Sequence, residues 1–219
     1  MKPKDLKSPY TFKERRPLIE NGIFYLPDHY ASYDSFAFPS WEELFGNAHP
    51  VALEYCSGNG EWIIERARQS PEQNWVAVEK KFERVRKIHS KRANQGLSNL
   101  FIICGDAKVF SRKYLKEGSL SAAFVNFPDP WPKARHAKHR IIQPLFVADV
   151  QRGMHPEGSF TLVSDAKAYI DEMKEVMGQS ALWQEEEPPK METYGSSYFE
   201  RLWKEKGRTI YFLRYGCTK

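Results

Sequence analysis

From Val51 onward, short apolar runs alternate with amphipathic stretches of helical period. Val51–Tyr55 predicts a buried strand, followed by a glycine-containing turn, Ser57-Gly58-Asn59-Gly60, and a helix to about Arg68. Trp75–Val78, closed by Glu79, predicts a second strand. The basic helix that follows, Lys80–Asn94, should stop at Gln95-Gly96, because glycine enters the left-handed conformation of a helix end without a Cβ penalty. Phe101–Cys104 is a third strand running into Gly105-Asp106, with a helix near Lys108–Tyr114, and Ala122–Val125 is a fourth strand. Ile141–Arg152 carries Ile142, Leu145, Phe146 and Val150 near helical spacing; Ser159–Val163 is a fifth strand ending at Ser164-Asp165, and Ala166–Met177 is again helical. Such alternation predicts an α/β fold, a mainly parallel, doubly wound sheet with helices on both faces. Past Gly178 the pattern changes. Glu185–Pro189 is acidic and helix-breaking, Met191–Gly195 reads as a loop, Ser197–Lys206 as a short helix with Gly207 behind it, and Thr209–Tyr215 as a final alternating strand.

Residues 1–48 show little periodicity and many aromatics and prolines, with a basic patch at Lys13, Arg15 and Arg16. They read as an irregular arm beside a single domain over 49–219, with one short helix, Trp41–Phe45, capped by Ser40. The length of 219 residues suits one domain better than two. A formal charge of +5 and a pI near 9.0 favour a polyanionic partner. Three cysteines, Cys56, Cys104 and Cys217, contain no C-x-x-C pair, so neither a disulfide framework nor a zinc site is expected, and a reducing cytoplasm fits. No run approaches the roughly 18 apolar residues of a membrane span, and Met1–Ser8 lacks the apolar core of a signal peptide.

The densest chemistry lies in Asn126–Arg140, N-F-P-D-P-W-P-K-A-R-H-A-K-H-R. Prolines at 128, 130 and 132 remove backbone donors and fix φ, which makes a stiff loop after a strand, the place where ligands sit in open α/β sheets. Trp131 there is either packing or a stacking surface for an exposed base. His136 and His139 lack metal-ligand spacing. The cations of the helix after the second strand, Lys80, Lys81, Arg84, Arg86, Lys87, Lys91 and Arg92, run around it rather than along one stripe and read as a solvated surface.

Gly58 and Gly60, between a strand and a helix, let the backbone approach a ligand, and Glu79 lies at the end of the next strand, where a carboxylate can accept from ribose hydroxyls. Ile63 stands where the third glycine of a dinucleotide fingerprint would be, and Glu54 would repel a pyrophosphate. Four acids at the ends of four successive strands, Glu54, Glu79, Asp106 and Asp129, suit the cationic S-adenosylmethionine better than NAD.

At these residues the chain resembles the bacterial tRNA (guanine-N7-)-methyltransferases. The most specific piece is F-P-D-P-W-P-K-x-R-H-x-K at Phe127–Lys138, supported by Glu54–Gly60, Val78-Glu79, Gly96–Leu100 and Ser197–Glu200; the resemblance runs from about residue 50 to the C-terminus. Cys56 replaces a glycine of the family pattern, His139 an arginine and Ser197 a threonine. The resemblance implies a class I methyltransferase (Rossmann-like) fold, a seven-stranded sheet with its last strand antiparallel. It implies that Glu54, Glu79, Asp106 and Asp129 hold S-adenosylmethionine alongside Gly58 and Gly60, with Asp129 also catalytic. Lys133, Asp165, Ser197, Tyr198, Phe199 and Glu200 would line the guanosine site, and Arg135, His136, Ala137, Lys138, His139 and Arg140 would meet the RNA. Family members methylate N7 of a guanosine in the tRNA variable loop, position 46, with no metal and no obligate protein partner indicated. Two other readings of the residues stand beside this one: an amino methyltransferase acting on nucleic acid, suggested by the Asn126-Phe127-Pro128 and Asp129-Pro130-Trp131 triplets, and a non-catalytic RNA-binding module.

Overall fold

A computed structural model describes residues 1–10, 15–28, 32–190, 194 and 198–218; of Ala134, Tyr198 and Phe199 it describes the backbone alone. The chain forms two compact units, Met1–Tyr114 and Leu115–Lys219.

The first unit holds strands β1 (Leu18–Glu20), β2 (Ile23–Tyr25), β3 (Val51–Tyr55), β4 (Asn74–Glu79) and β5 (Leu100–Cys104), in the spatial order β1-β2-β5-β4-β3. All neighbours are parallel except the β1–β2 hairpin. β3 and β4 are buried along their whole length, which explains why they read as continuous apolar runs rather than alternating ones. Helices α1 (Trp41–Phe45), α2 (Glu61–Gln69), α3 (Phe82–Gln95) and α4 (Ala107–Lys113) complete the unit. Local signals set their ends. The Ser40 side chain accepts from the Glu43 N–H while Glu43 accepts from the Ser40 N–H at 2.6 Å, a reciprocal capping box, and Gly96 ends α3 in the left-handed conformation, φ 64°.

Residues 18–25 are not irregular. Asn21 and Gly22 both take positive φ, 54° and 67°, the geometry of a two-residue hairpin turn, and β2 continues the sheet beside β5. Arg92 of α3 fastens this turn by donating to the carbonyls of Asn21, Gly22 and Leu100. Phe24, Tyr25 and Phe38 are core. Phe24 meets Phe36, Phe38 and Tyr114 with ring centroids 4.9 to 5.2 Å apart, and Phe38 meets Phe110 of α4 at 5.8 Å.

The second unit holds β6 (Leu120–Asn126), β7 (Met154–Ser164), β8 (Trp183–Glu186) and β9 (Tyr211–Cys217) in the order β6-β7-β9-β8. β6 and β7 are parallel, and β9 runs antiparallel to both β7 and β8. Its helices are α5 (Pro144–Gly153), α6 (Lys167–Met177) and α7 (Tyr198–Glu205). Pro144 at the first turn starts α5 three residues later than the apolar spacing suggests, and Ile141 and Ile142 are buried ahead of it. β8 overlaps the run read as acidic and helix-breaking. Trp183 anchors it against Phe160, ring centroids 5.7 Å apart, while Glu185 pairs with Lys174 and Glu186 with Arg214. An edge strand carries outward charges without loss of its ladder bonds to β9. β3 to β9 match in number the seven strands the resemblance implies, with β8 absent from the strands read along the chain, and β1 and β2 are additional.

Candidate functional site

In the first unit, Glu54, Glu79 and the Gly105-Asp106 step stand at the carboxyl ends of the adjacent parallel strands β3, β4 and β5. Glu54 and Glu79 are buried, at 2% and 5% exposure. Glu79 is the organising group: one carboxylate oxygen accepts from the Gly58 N–H and the other from the Lys81 N–H, each at 2.8 Å, with the Arg84 guanidinium 3.7 Å away. Its charge thus fixes the Ser57–Gly60 turn and the start of α3 at once. Two more bonds close the turn, Ser57 N–H to Val78 O at 3.1 Å and Gly60 N–H to Ser57 O at 2.8 Å. Lys91 of α3 donates to the Asn59 carbonyl.

The two glycines do different work. At Gly58, φ 57°, a Cβ would meet only the Cys56 carbonyl at 3.9 Å, so this peptide faces open space and suits close approach by a ligand. At Gly60, φ 73°, a Cβ would stand 2.7 Å from Ile88, so this glycine lets α2 and α3 pack. Cys56 is exposed and sits at φ 59°, the left-handed region, which accounts for glycine at this place in the family pattern. Asp106 is the N-cap of α4, accepting from the Lys108 and Val109 N–H groups through one oxygen, while the other lies 3.3 Å from Lys80 Nζ. Lys80 also pairs with Asp28 at 3.1 Å.

Of the cations after β4, Lys80, Lys81 and Lys87 are exposed, as a solvated surface requires, while Arg84, Arg86, Lys91 and Arg92 are half-buried. Lys80, Arg84, Arg86, Lys91 and Arg92 all have partners within the unit, Arg86 reaching the Pro3 carbonyl at 2.8 Å. Burial, with the Arg92 guanidinium adding to it, pushes the His89 imidazole on the same helix down to about 4. Burial likewise pushes the Cys104 thiol up to about 12, reinforced by Glu79.

In the second unit, β6 delivers the proline-rich loop. The Phe127 N–H donates to Val163 O at 2.9 Å, and the buried Asn126 accepts from the Tyr194 hydroxyl at 2.6 Å through its side-chain oxygen. Phe127 and Trp131 have positive φ, 49° and 42°, and each precedes a proline, so the backbone on both sides of Asp129 is held in sparsely populated conformations. Asp129, Lys133, Arg135, Lys138 and His139 are exposed; His136 and Ala137 are half-buried. Residues Ala134–His139 form a 3-10 turn. Trp131, 37% exposed, packs its ring against His136 and His139, centroids 5.7 and 5.2 Å away. The tryptophan is therefore packed on one side and open on the other.

Arg140 differs from its neighbours. Its side chain is only 12% exposed, and it turns inward, donating to the Pro130 and Trp131 carbonyls, pairing with Glu172 and lying 5.1 Å above the Tyr169 ring. Asp165, at the end of β7, pairs with Arg208, whose guanidinium stacks 4.0 Å from the Trp203 ring of α7. Glu200 of α7 is buried and binds Lys204 at 2.6 Å. Ser197 lies outside the described residues, and Tyr198 and Phe199 are placed on α7 by backbone only. Tyr194, Glu172 and Arg208 carry no motif signal of their own. Among the described residues, no group of three or more His, Cys, Asp or Glu is placed to hold a metal ion, and no helix is long and apolar enough to cross a membrane.

Residues 48–213 match a family model described as a putative methyltransferase. Among solved structures, the chain is similar to the 16S rRNA methyltransferase KamB, with a TM-score of 0.63 at 17% identity over 82% of this chain and 93% of that one. An (adenine(1408)-N(1))-methyltransferase of 16S rRNA from Catenulisporales acidiphilia gives a TM-score of 0.58 at 15% identity, covering 82% of this chain and 90% of that one. At these identities the likeness establishes the class I methyltransferase fold. A tRNA (guanine-N(7)-)-methyltransferase of Chlamydia caviae is 47% identical over 98% of this chain and 97% of its own length. The corresponding Chlamydia trachomatis protein is 45% identical over the whole of this chain and 97% of its own, and that of Rubrobacter xylanophilus 33% identical over 77% of each. The chain belongs to the tRNA (guanine-N(7)-)-methyltransferase family.

Proposed function

We infer that this protein transfers a methyl group from S-adenosylmethionine to N7 of a guanosine in tRNA. The observation that carries the reading is identity near one half with such enzymes along essentially the full length of both chains. Position 46 of the variable loop is the target implied by the motif at Phe127–Lys138, and the cytoplasm is the compartment. Residues 49–219 act as one methyltransferase domain.

The residues of the first unit fit the cofactor. Gly58 leaves room for a ligand against the backbone, and the buried acids at the ends of β3 and β4 suit a cation and disfavour a pyrophosphate. Glu54, Gly58, Glu79 and Asp106 would hold S-adenosylmethionine, which when bound supplies a methyl group on a sulfonium. Glu79 and Asp106 each keep unused lone pairs beyond those given to backbone N–H groups, so they can still accept from ribose or an exocyclic amine. Gly60 acts one step back, through packing.

Guanine N7 has a free sp² lone pair at neutral pH, so the chain need not remove a proton before attack. Its task is alignment, an effect worth up to several kcal/mol, on the order of 7 or more in well-oriented model reactions. Asp129, exposed at the tip of a stiff loop, accepts from guanine N1–H or N2–H₂ to orient the base and opposes the positive charge that develops on the methylated ring. Lys133, Arg135, Lys138 and His139 face solvent beside it and bind phosphates, which positions tRNA without reading bases. The half-buried His136 and Ala137 belong to the same turn and lie beside the RNA. Asp165 and Glu200, with Ser197, Tyr198 and Phe199, complete the guanosine site.

The test is incubation of the protein with unmodified tRNA and methyl-labelled S-adenosylmethionine, followed by nucleoside analysis. Label appears in 7-methylguanosine and disappears when the target guanosine is replaced. Label in any other nucleoside overturns the assignment.

A further inference from the structure

We propose that Arg140 is a positioning residue: it holds the Asp129 loop in its working shape through Pro130, Trp131 and Glu172, and does not itself bind RNA. The inference rests on the methyltransferase reading above and concerns one residue of the basic run.

Burial and bonding separate Arg140 from the cations before it. Lys133, Arg135 and Lys138 are exposed, whereas the Arg140 guanidinium is nearly closed off by its own unit. Nε donates to the Pro130 carbonyl at 2.8 Å and one terminal nitrogen to the Trp131 carbonyl at 3.1 Å, so the planar fork grips two successive peptides immediately after Asp129. The other terminal nitrogen pairs with Glu172, and the plane lies over Tyr169, both on α6. Tyr169 in turn accepts from the Ile142 N–H at 3.2 Å. α6 is therefore the fixed wall against which the loop is held.

The loop needs such a clamp. Prolines at 128, 130 and 132 remove the backbone donors that would anchor it, and the left-handed φ values at Phe127 and Trp131 resist relaxation only if something holds them. At Phe127 the bond to Val163 O does so. At Trp131, the described contact that holds the backbone is Arg140. Lysine cannot replace it, since a point charge on a flexible stem does not span two carbonyls and a carboxylate together.

The test compares Arg140→Lys, Glu172→Gln and Lys138→Ala by three readouts. Steady-state kinetics on tRNA should show kcat reduced at least 30-fold in Arg140→Lys and at least 5-fold in Glu172→Gln, with the tRNA Kd within threefold of wild type. Lys138→Ala, an exposed cation of the same run, should raise the tRNA Kd and leave the cleavage rate without ligand at the remaining sites as in wild type. Limited trypsinolysis without ligand should cut the 133–139 segment at least tenfold faster in Arg140→Lys and measurably faster in Glu172→Gln, at temperatures where circular dichroism shows both folded. This last readout needs no activity, so it judges the clamp even if the acceptor nucleoside proves to be another. A tRNA Kd raised tenfold or more in Arg140→Lys, with kcat and protease resistance unchanged, overturns the proposal and makes Arg140 an RNA contact. If Arg140→Lys does not fold, Glu172→Gln decides: an unchanged kcat and cleavage rate in that variant also overturns it.

Discussion

Replacing Glu79 with glutamine tests whether one buried carboxylate shapes the cofactor turn before any ligand arrives. Each of its oxygens accepts a backbone N–H at 2.8 Å, from Gly58 and from Lys81. The amide keeps one acceptor and turns an NH₂ toward the other N–H. One charge-assisted bond is lost, about 2 kcal/mol, and a buried donor is left facing a donor, about 2 kcal/mol more. The total, about 4 kcal/mol, divides between global unfolding and local opening of the 56–60 turn. Half of it in the turn raises the open-to-closed ratio about 30-fold, which lowers the affinity for S-adenosylmethionine by up to about 30-fold, the more so the less the closed turn is favoured in wild type. Urea denaturation of the ligand-free protein, read by far-ultraviolet circular dichroism, and calorimetric titration with S-adenosylmethionine measure the two parts. Ligand-free stability is the decisive quantity, because only the internal bonds contribute to it. If Glu79→Gln is within about 0.5 kcal/mol of wild type without ligand, a difference no larger than ordinary surface substitutions make, the carboxylate does not organise the turn, whatever happens to the affinity.

Two further outcomes are expected. Cys56→Gly removes a left-handed non-glycine residue at φ 59° but adds unfolded-state freedom, so the net gain is about 0.5–1 kcal/mol, measured by denaturant midpoint; a loss instead means the cysteine side chain is packed to advantage. His89 is neutral in the folded protein with its pKa lowered from 6.5 to about 4, while the unfolded chain takes up a proton below 6.5. Stability from this group is therefore complete above pH 6.5 and declines as pH falls toward 4, by at most about 3 kcal/mol and by about half that after solvent screening. In His89→Gln that part of the pH dependence should vanish from the stability curve.

Much of the chain speaks for itself because the relevant forces are local. The parallel strands β3 to β6 are apolar runs bounded by glycine and acids, Ser40 and Glu43 cap α1 across three residues, and Gly96 ends α3 where its missing Cβ allows the turn. The motif at Phe127–Lys138 marks the stiff loop, and Glu54, Glu79 and Asp106 fall at the strand ends where the apolar runs stop, because strand ends and loop stiffness follow from neighbours in sequence. The Asn21-Gly22 pair between Leu18–Glu20 and Ile23–Tyr25 is also a readable hairpin signal, hidden only by the aromatics and prolines around it.

What each charged group does with its charge is decided elsewhere. A run such as Lys133–Arg140 looks uniformly basic in one dimension, yet four exposed side chains face water while Arg140, at its end, closes on Glu172. β8 exists because Trp183 finds Phe160 and β9 offers its edge, so an acidic stretch with little strand propensity is drawn into the ladder. Glu79 reads as a ribose ligand in sequence, and in the fold it fastens Gly58 and Lys81, while Asp165 meets Arg208 43 residues away. Backbone preference and capping act over a few residues and can be read along the chain, whereas hydrogen bonds and ion pairs depend on which distant groups the fold brings within about 3 Å.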